Sequence, residues 1–220
     1  MLREAFQRAF LSRAAKPLVF LICLLPAGWL VYSATFDQLG ANPAEALIRS
    51  TGDWTLRLLC AVLAVTPLRV LFGLPGLARL RRMLGLYVYF YALLHLLCYA
   101  WFDMGLELGD IVRDIAKRPF ILVGFTALLL LTPLAMTSSN RAIRWLRGPR
   151  WQALHRLVYG VAVLAVLHFF WMRAGKNNFA EVYVYAWVIA VLLGWRVRRA
   201  WSGQRSRTAV RGPGVDQRLG

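Results

Sequence analysis

Six apolar runs, separated by short polar joints, leave this chain very few folds to choose from. A bilayer core takes about 20 helical residues to cross. The runs at 17–36, 52–72, 83–102, 119–136, 153–172 and 179–197 all meet that length. None alternates polar and apolar residues as a barrel strand must. The reading is an all-α, six-helix transmembrane bundle embedded in a lipid bilayer. Composition agrees, with 59% hydrophobic and 17% charged residues, against about half and about a quarter in a soluble domain. A chain this apolar does not stay disordered. Cys23, Cys60 and Cys98 all sit inside apolar runs, so they form no disulfide framework. The first run is no cleavable signal peptide, because Pro26, Trp29 and Tyr32 stand where small residues would be needed.

The charge is strongly one-signed. Twenty-seven Lys and Arg face ten Asp and Glu, a formal +17. A basic chain suggests a nucleic-acid partner. Here, however, the arginines cluster between the apolar runs, so no nucleic-acid partner is expected. Clusters of that kind orient spans, with Lys and Arg retained on the cytoplasmic side. With the N-terminus inside, 20 of the 27 basic residues fall inside, and of the acids only Glu4 and Asp216 do. Both termini are then cytoplasmic, as an even number of spans requires. The chain divides into a cytoplasmic segment at 1–16, a transmembrane domain at 17–197 and a basic, disordered cytoplasmic tail at 198–220. Pro119 suits the first turn of the fourth span, where its missing N–H costs nothing. Residues 137–140, Thr-Ser-Ser-Asn, offer N-caps for a short basic helix at 141–147.

The chain has three histidines, His95, His155 and His168, and all fall within the spans. An ionisable side chain inside a bilayer is costly and marks a functional site by default; one alone equally suits an interhelical hydrogen bond. Depth separates them. His95 lies roughly 18 Å and His168 roughly 22 Å from the inner boundary, on different helices, while His155 sits in the first turn of its span. Two imidazoles at matching depth suit the two axial positions of a haem iron. No carboxylate lies at that depth to complete a zinc site, and Cys98, one turn from His95, is a lone thiol. His155 is roughly 20 Å along the axis from His168 and cannot share its iron. The start of span three offers it no partner histidine, only Arg81, Arg82, Met83 and Leu84. A single-ligand haem, a flavin contact and a structural role all stay open for it.

Several segments carry a resemblance. Trp151-Gln-Ala-Leu-His155-Arg-Leu-Val-Tyr159, followed by His168, is similar to the fifth helix of the ferric-reductase-like transmembrane domain. Thr51-Gly-Asp-Trp54, Gly85-Leu-Tyr-Val-Tyr-Phe-Tyr-Ala-Leu-Leu-His95, Arg118-Pro-Phe-Ile-Leu-Val-Gly124 and Leu131-Thr-Pro-Leu-Ala-Met-Thr-Ser-Ser-Asn140, in chain order, narrow the resemblance further. Over residues 10 to 200 the ordered set resembles the MsrQ (YedZ) family of haem-binding membrane subunits. The resemblance implies a multi-pass protein of the bacterial inner membrane that carries heme b, with FMN as a further cofactor. It implies a non-catalytic electron-transfer subunit. Its electrons come from a quinone or a cytoplasmic flavin reductase and pass to a periplasmic molybdopterin-containing methionine sulfoxide reductase, which repairs oxidised proteins. It places iron on His95 and His168 and matches His155 to the family's third histidine.

Other residues carry two readings each. Arg57 suits a haem propionate or an i, i+4 pair with Asp53. Arg173 suits a propionate or plain snorkelling. Arg79, Arg81, Arg82, Arg147 and Arg150 suit an FMN phosphate, an anionic lipid or orientation alone. Gly85, Gly124 and Gly160 suit either close approach of a porphyrin or ordinary helix contacts. Tyr87, Tyr89, Tyr91, Tyr99 and Trp101 suit electron bridging or an interfacial belt and packing. The rival function is a transmembrane ferric or oxygen reductase working with a separate flavin reductase, since the tail is too short for a fused one. A proton-relay transporter is disfavoured by the absence of midplane carboxylates and broken helix pairs.

Overall fold

The computed structural model describes residues 2–174 and 179–210. Its described residues form helices and turns, with no strand. In chain order the helices are α1 (Leu2–Leu11), α2 (Ala15–Thr35), α3 (Pro43–Leu71), α4 (Arg81–Cys98), α5 (Leu108–Lys117), α6 (Pro119–Met136), α7 (Asn140–Leu146), α8 (Gly148–His155), α9 (Leu157–Ala174) and α10 (Ala180–Val210). A 3₁₀ turn at Pro75–Arg79 precedes α4, and a π turn at Tyr99–Asp103 extends it. Among the described residues six helical segments are long and apolar enough to cross a membrane: α2, α3, α4 with its π turn, α6, α8 with α9, and the first part of α10.

Two antiparallel pairs form the centre of the bundle. α3 packs along α4, and α6 packs along α9. α4 meets α6 between the pairs, while α10 lies across α3 and α9, and α2 lies against α3 and α4. The core is Leu59, Leu63, Val88, Tyr91, Val161 and Ala162, all essentially buried. The outer helices keep apolar faces open, with Leu25, Val31, Trp187 and Val191 at least half exposed. Those faces suit lipid, which solvates apolar side chains as a core would.

The boundaries depart from the sequence expectation in informative ways. α3 begins nine residues before the expected 52, because Asn42 caps it. The Asn42 side chain accepts from the Glu45 N–H at 3.1 Å, Pro43 fills the first turn, and Arg49 reaches back to Glu45 at 2.6 Å. The fifth span starts at Gly148 and is broken at Arg156, between α8 and α9. The short basic helix forms at Asn140–Leu146 with Ser139 accepting from Ala142 N–H, as the Thr-Ser-Ser-Asn run suggested. Pro119 stands at the first turn of α6 as expected. α10 runs on to Val210, into the stretch expected to be disordered. Lys176 and the tail residues Arg211, Asp216 and Arg218 lie outside the described residues.

Two prolines break helix ladders, and distant side chains repair them. Pro67 has no N–H for the Leu63 carbonyl. Arg196, on α10, donates to that carbonyl at 2.5 Å and to Leu192 O at 2.8 Å, with its guanidinium 5.5 Å from the Tyr159 ring. Beside Pro26, the Tyr91 hydroxyl enters the rung between Ala27 and Cys23. It accepts from Ala27 N–H at 3.1 Å and donates to Cys23 O at 2.7 Å. Tyr87 adds a bond to Phe20 O at 2.9 Å, so two tyrosines of α4 fasten α2.

Candidate haem site between two helix pairs

Each central helix pair presents one histidine to the other. His95 projects from α4 and His168 from α9, and their ring centroids stand 6.1 Å apart with an interplanar angle of 81°. A metal–imidazole bond is about 2.0–2.1 Å and the bonding nitrogen lies about 1.1 Å from the ring centre, so imidazoles sharing one ion have centres at most about 6.3 Å apart, the limit reached when they lie on opposite sides of it. The two residues therefore stand at the spacing of two ligands on one ion.

The orientation of each ring has the same cause in both pairs. His95 Nδ1 donates to Ile48 O at 2.8 Å, and His168 Nδ1 donates to Phe120 O at 2.6 Å. A proton held on Nδ1 leaves Nε2 with the lone pair a metal needs. The Ile48 carbonyl lies inside α3 and the Phe120 carbonyl in the first turn of α6; in a helix the residue four positions on normally crowds the second lone pair with its Cβ. Here those residues are Gly52 and Gly124. A Cβ at Gly52 would lie 3.1 Å from His95 Cε1, and one at Gly124 would lie 2.7 Å from His168 Nδ1. Glycine, the carbonyl four residues before it and the imidazole from the facing helix thus form one device, built twice. A Cβ at Gly85 or Gly160 would meet nothing within 4 Å, so only Gly124 of the three expected glycines makes a close approach.

The two arginines expected at the site differ in what they contact. Arg173 is buried, with 7% of its surface exposed. It donates to Glu181 at 2.5 Å and stands 5.3 Å from the Phe169 ring, while its Nε is buried without a hydrogen-bond partner. A buried guanidinium edge left unpaired is costly and fits a carboxylate that is to be bound. Arg57 does not make the expected pair with Asp53. Its Nε donates to Tyr185 at 3.3 Å and its guanidinium lies 4.9 Å from the Trp54 ring.

His155 stands apart, at the end of the bundle where the basic joints gather. Thr137 Oγ1 spends its proton on Pro133 O at 2.6 Å, so it accepts from His155 Nε2, 3.2 Å away. His155 therefore carries its proton on the opposite nitrogen from the other two. Trp151 stacks on it with centroids 4.0 Å apart and donates to Thr137 O. Next to them opens a cavity of about 240 Å³, lined by Arg81, Arg82, Gly85, Ser138, Trp151 and His155 among others. Among the described residues no group of three or more His, Cys, Asp or Glu gathers to hold a metal.

Comparison with known proteins agrees with this architecture. Residues 51–166 match the family model described as ferric reductase like transmembrane component. A Polaromonas naphthalenivorans protein named protein-methionine-sulfoxide reductase heme-binding subunit MsrQ is 66% identical over 203 residues, covering 92% of this chain and 93% of the relative. A Ralstonia nicotianae protein of the same name is 54% identical, covering 94% of each chain. The chain belongs to the MsrQ family. No solved structure matches it. As an MsrQ-family member with six membrane-length helices, it is a multi-pass protein of the bacterial inner membrane.

Within this MsrQ-family fold, sequence reasoning had named the histidines but not what holds them. The Ile48 and Phe120 carbonyls are backbone groups and carry no residue signature. Gly52 was in view only as part of the Thr51–Trp54 motif. Its signal was its spacing: Gly52 precedes His95 by 43 residues and Gly124 precedes His168 by 44, one membrane-length span earlier in each case.

Proposed function

We propose that this chain is a membrane b-type cytochrome. It passes electrons from the cytoplasmic or quinone side of the inner membrane to a soluble periplasmic molybdopterin methionine sulfoxide reductase that repairs oxidised proteins. The observation that supports it best is the facing pair, His95 and His168, with both Nδ1 protons tied to backbone carbonyls. The printed names of its relatives, heme-binding subunits of that reductase, point the same way.

In this reading His95 and His168 would hold the iron of a heme b, and Arg173 would bind one of its carboxylates, with Arg57 a second candidate. When bound, the haem supplies one-electron chemistry, and its potential is set by these ligands and their surroundings. The chain's own part is to hold the two lone pairs at a fixed spacing, to keep water away with Tyr91, Val161, Phe169 and their neighbours, and to bring the site near one membrane surface. In this reading α1, α7 and the α10 end face the cytoplasm with both termini, and the histidine pair lies towards the periplasm; the basic joints support that orientation. The cavity beside His155, with two guanidinium groups and an indole, suits an FMN or another cofactor on the electron entry side.

Absorption spectroscopy of the purified protein tests the reading. A reduced b-type spectrum that vanishes in His95→Ala and in His168→Ala is expected; haem at full occupancy in both variants sinks the axial assignment. Reduced protein mixed with the periplasmic reductase should reoxidise only when methionine sulfoxide is present. Rapid reoxidation by ferric chelates with no response to the reductase favours the ferric-reductase rival instead.

A further inference from the structure

We propose that Asp114 is a positioning residue for the histidine pair: through Tyr99 and Arg118 it holds the two halves of the bundle at the separation one iron needs. The proposal rests on the haem reading above. Asp114 lies on α5, a surface helix that no apolar run announced, and it receives bonds from both halves.

From one side comes Tyr99, four residues after His95 and the first residue of the π turn that extends α4. Tyr99 is 8% exposed, and its hydroxyl donates to Asp114 Oδ2 at 2.5 Å. π turns inside helices often mark functional positions, since one extra residue per turn re-aims the side chains that follow. Arg118, four residues on from Asp114, closes α5 and leads directly into α6. Its Nε donates to Oδ1 at 2.6 Å and its terminal nitrogen to Oδ2 at 2.5 Å, a two-pronged grip with defined direction. The same guanidinium stands 5.9 Å from the Phe120 ring. Phe120 gives His168 its carbonyl, and its ring centroid is 6.1 Å from that of His168. One carboxylate therefore fixes the end of the His95 helix to the start of the segment that orients His168.

An ordinary surface ion pair contributes little. The comparison is present on the same helix. Asp110 and Arg113 share one bond at 2.8 Å, with side chains 60% and 65% exposed. Asp114 is 17% exposed and takes, besides two bonds from Arg118 four residues on, a third from Tyr99 on the extension of α4. Only the second arrangement couples the two halves.

The test compares Asp114→Asn, Tyr99→Phe, Arg113→Ala and His95→Ala in the purified full chain. Haem content, low-spin electron paramagnetic resonance and redox titration are the readouts. Asp114→Asn leaves the Arg118 charge uncompensated, which favours the reduced haem. An upward change of about threefold in that equilibrium is expected, about 28 mV for a one-electron couple. The low-spin signal should also broaden or split, because the angle between the imidazole planes loses its constraint. Tyr99→Phe removes one bond and no charge, so it should alter the signal with little change in potential, even if Asp114→Asn folds poorly. Arg113→Ala should match wild type. Wild-type signal and potential in both Asp114→Asn and Tyr99→Phe overturn the proposal. Haem retained in His95→Ala overturns instead the reading on which it rests.

Discussion

Gly124 is the floor on which the His168 imidazole rests: a Cβ there would lie 2.7 Å from Nδ1 and 2.8 Å from Cε1. The ring cannot retreat, because Nδ1 is bonded to Phe120 O on the same helix. At Gly52 the corresponding approach to His95 is 3.1 Å, which neighbours relieve by moving a few tenths of an ångström.

This difference predicts graded effects. Gly124→Ala should lower haem occupancy roughly tenfold, from overpacking of about 1–3 kcal/mol. Gly52→Ala should lose less and keep a recognisable spectrum. Haem-to-protein ratios after purification check the order; equal and full occupancy in both variants would contradict it.

His155 should behave differently from the other two. Its Nε2 proton is engaged with Thr137 and its ring is stacked on Trp151. His155→Ala is expected to retain the low-spin signal assigned to His95 and His168, while flavin content or the rate of electron entry falls. Loss of the whole haem complement would place His155 among the iron ligands.

The histidines were legible in the sequence because they are rare and because depth follows from charge counting. What orients them was not. Ile48 lies in the stretch 43–51, which hydropathy excluded because Glu45 and Arg49 dilute it. The cap at Asn42 carried the missing information, in side-chain hydrogen bonding rather than apolarity. α5 escaped for a related reason. Its apolar residues, Leu108, Ile111, Val112 and Ile115, form a stripe of ten-residue length, too short to count as a span. The Asp53 pair offered for Arg57 does not form because i, i+4 spacing ignores what a third helix offers, here Tyr185.

Arg196 and Pro67 should be energetically coupled. Arg196→Met leaves the Leu63 carbonyl without its donor, at about 1–3 kcal/mol. Pro67→Ala supplies an N–H to that same carbonyl. The arginine substitution should therefore cost less in the Pro67→Ala background. Thermal unfolding of the four proteins in one detergent checks the cycle, and strict additivity would argue against it.

Acid should weaken the Asp114 contact. The Arg118 fork, with help from the Tyr99 hydroxyl, holds the Asp114 carboxyl below the usual carboxylate range. A lowered acid stabilises the fold while ionised. That contribution is complete above the unfolded value of about 3.9 and disappears as pH falls through the folded one. The stability gap between wild type and Arg118→Met should be constant from about pH 6 to 8 and close below about pH 4. Because the Arg118 side chain is 45% exposed, salt should narrow the gap as well. A gap that widens with acid would contradict the assignment.

The hydroxyl of Tyr91 inside the α2 ladder bears on how the chain is assembled. Lipid offers no donor or acceptor for a parted backbone rung. The rung between Ala27 and Cys23 is completed from the third span, more than sixty residues later in the chain. Until that span arrives, the first must close its own rung and take a straighter form. The two backbone bonds beside Pro26 therefore form only once α4 lies against α2.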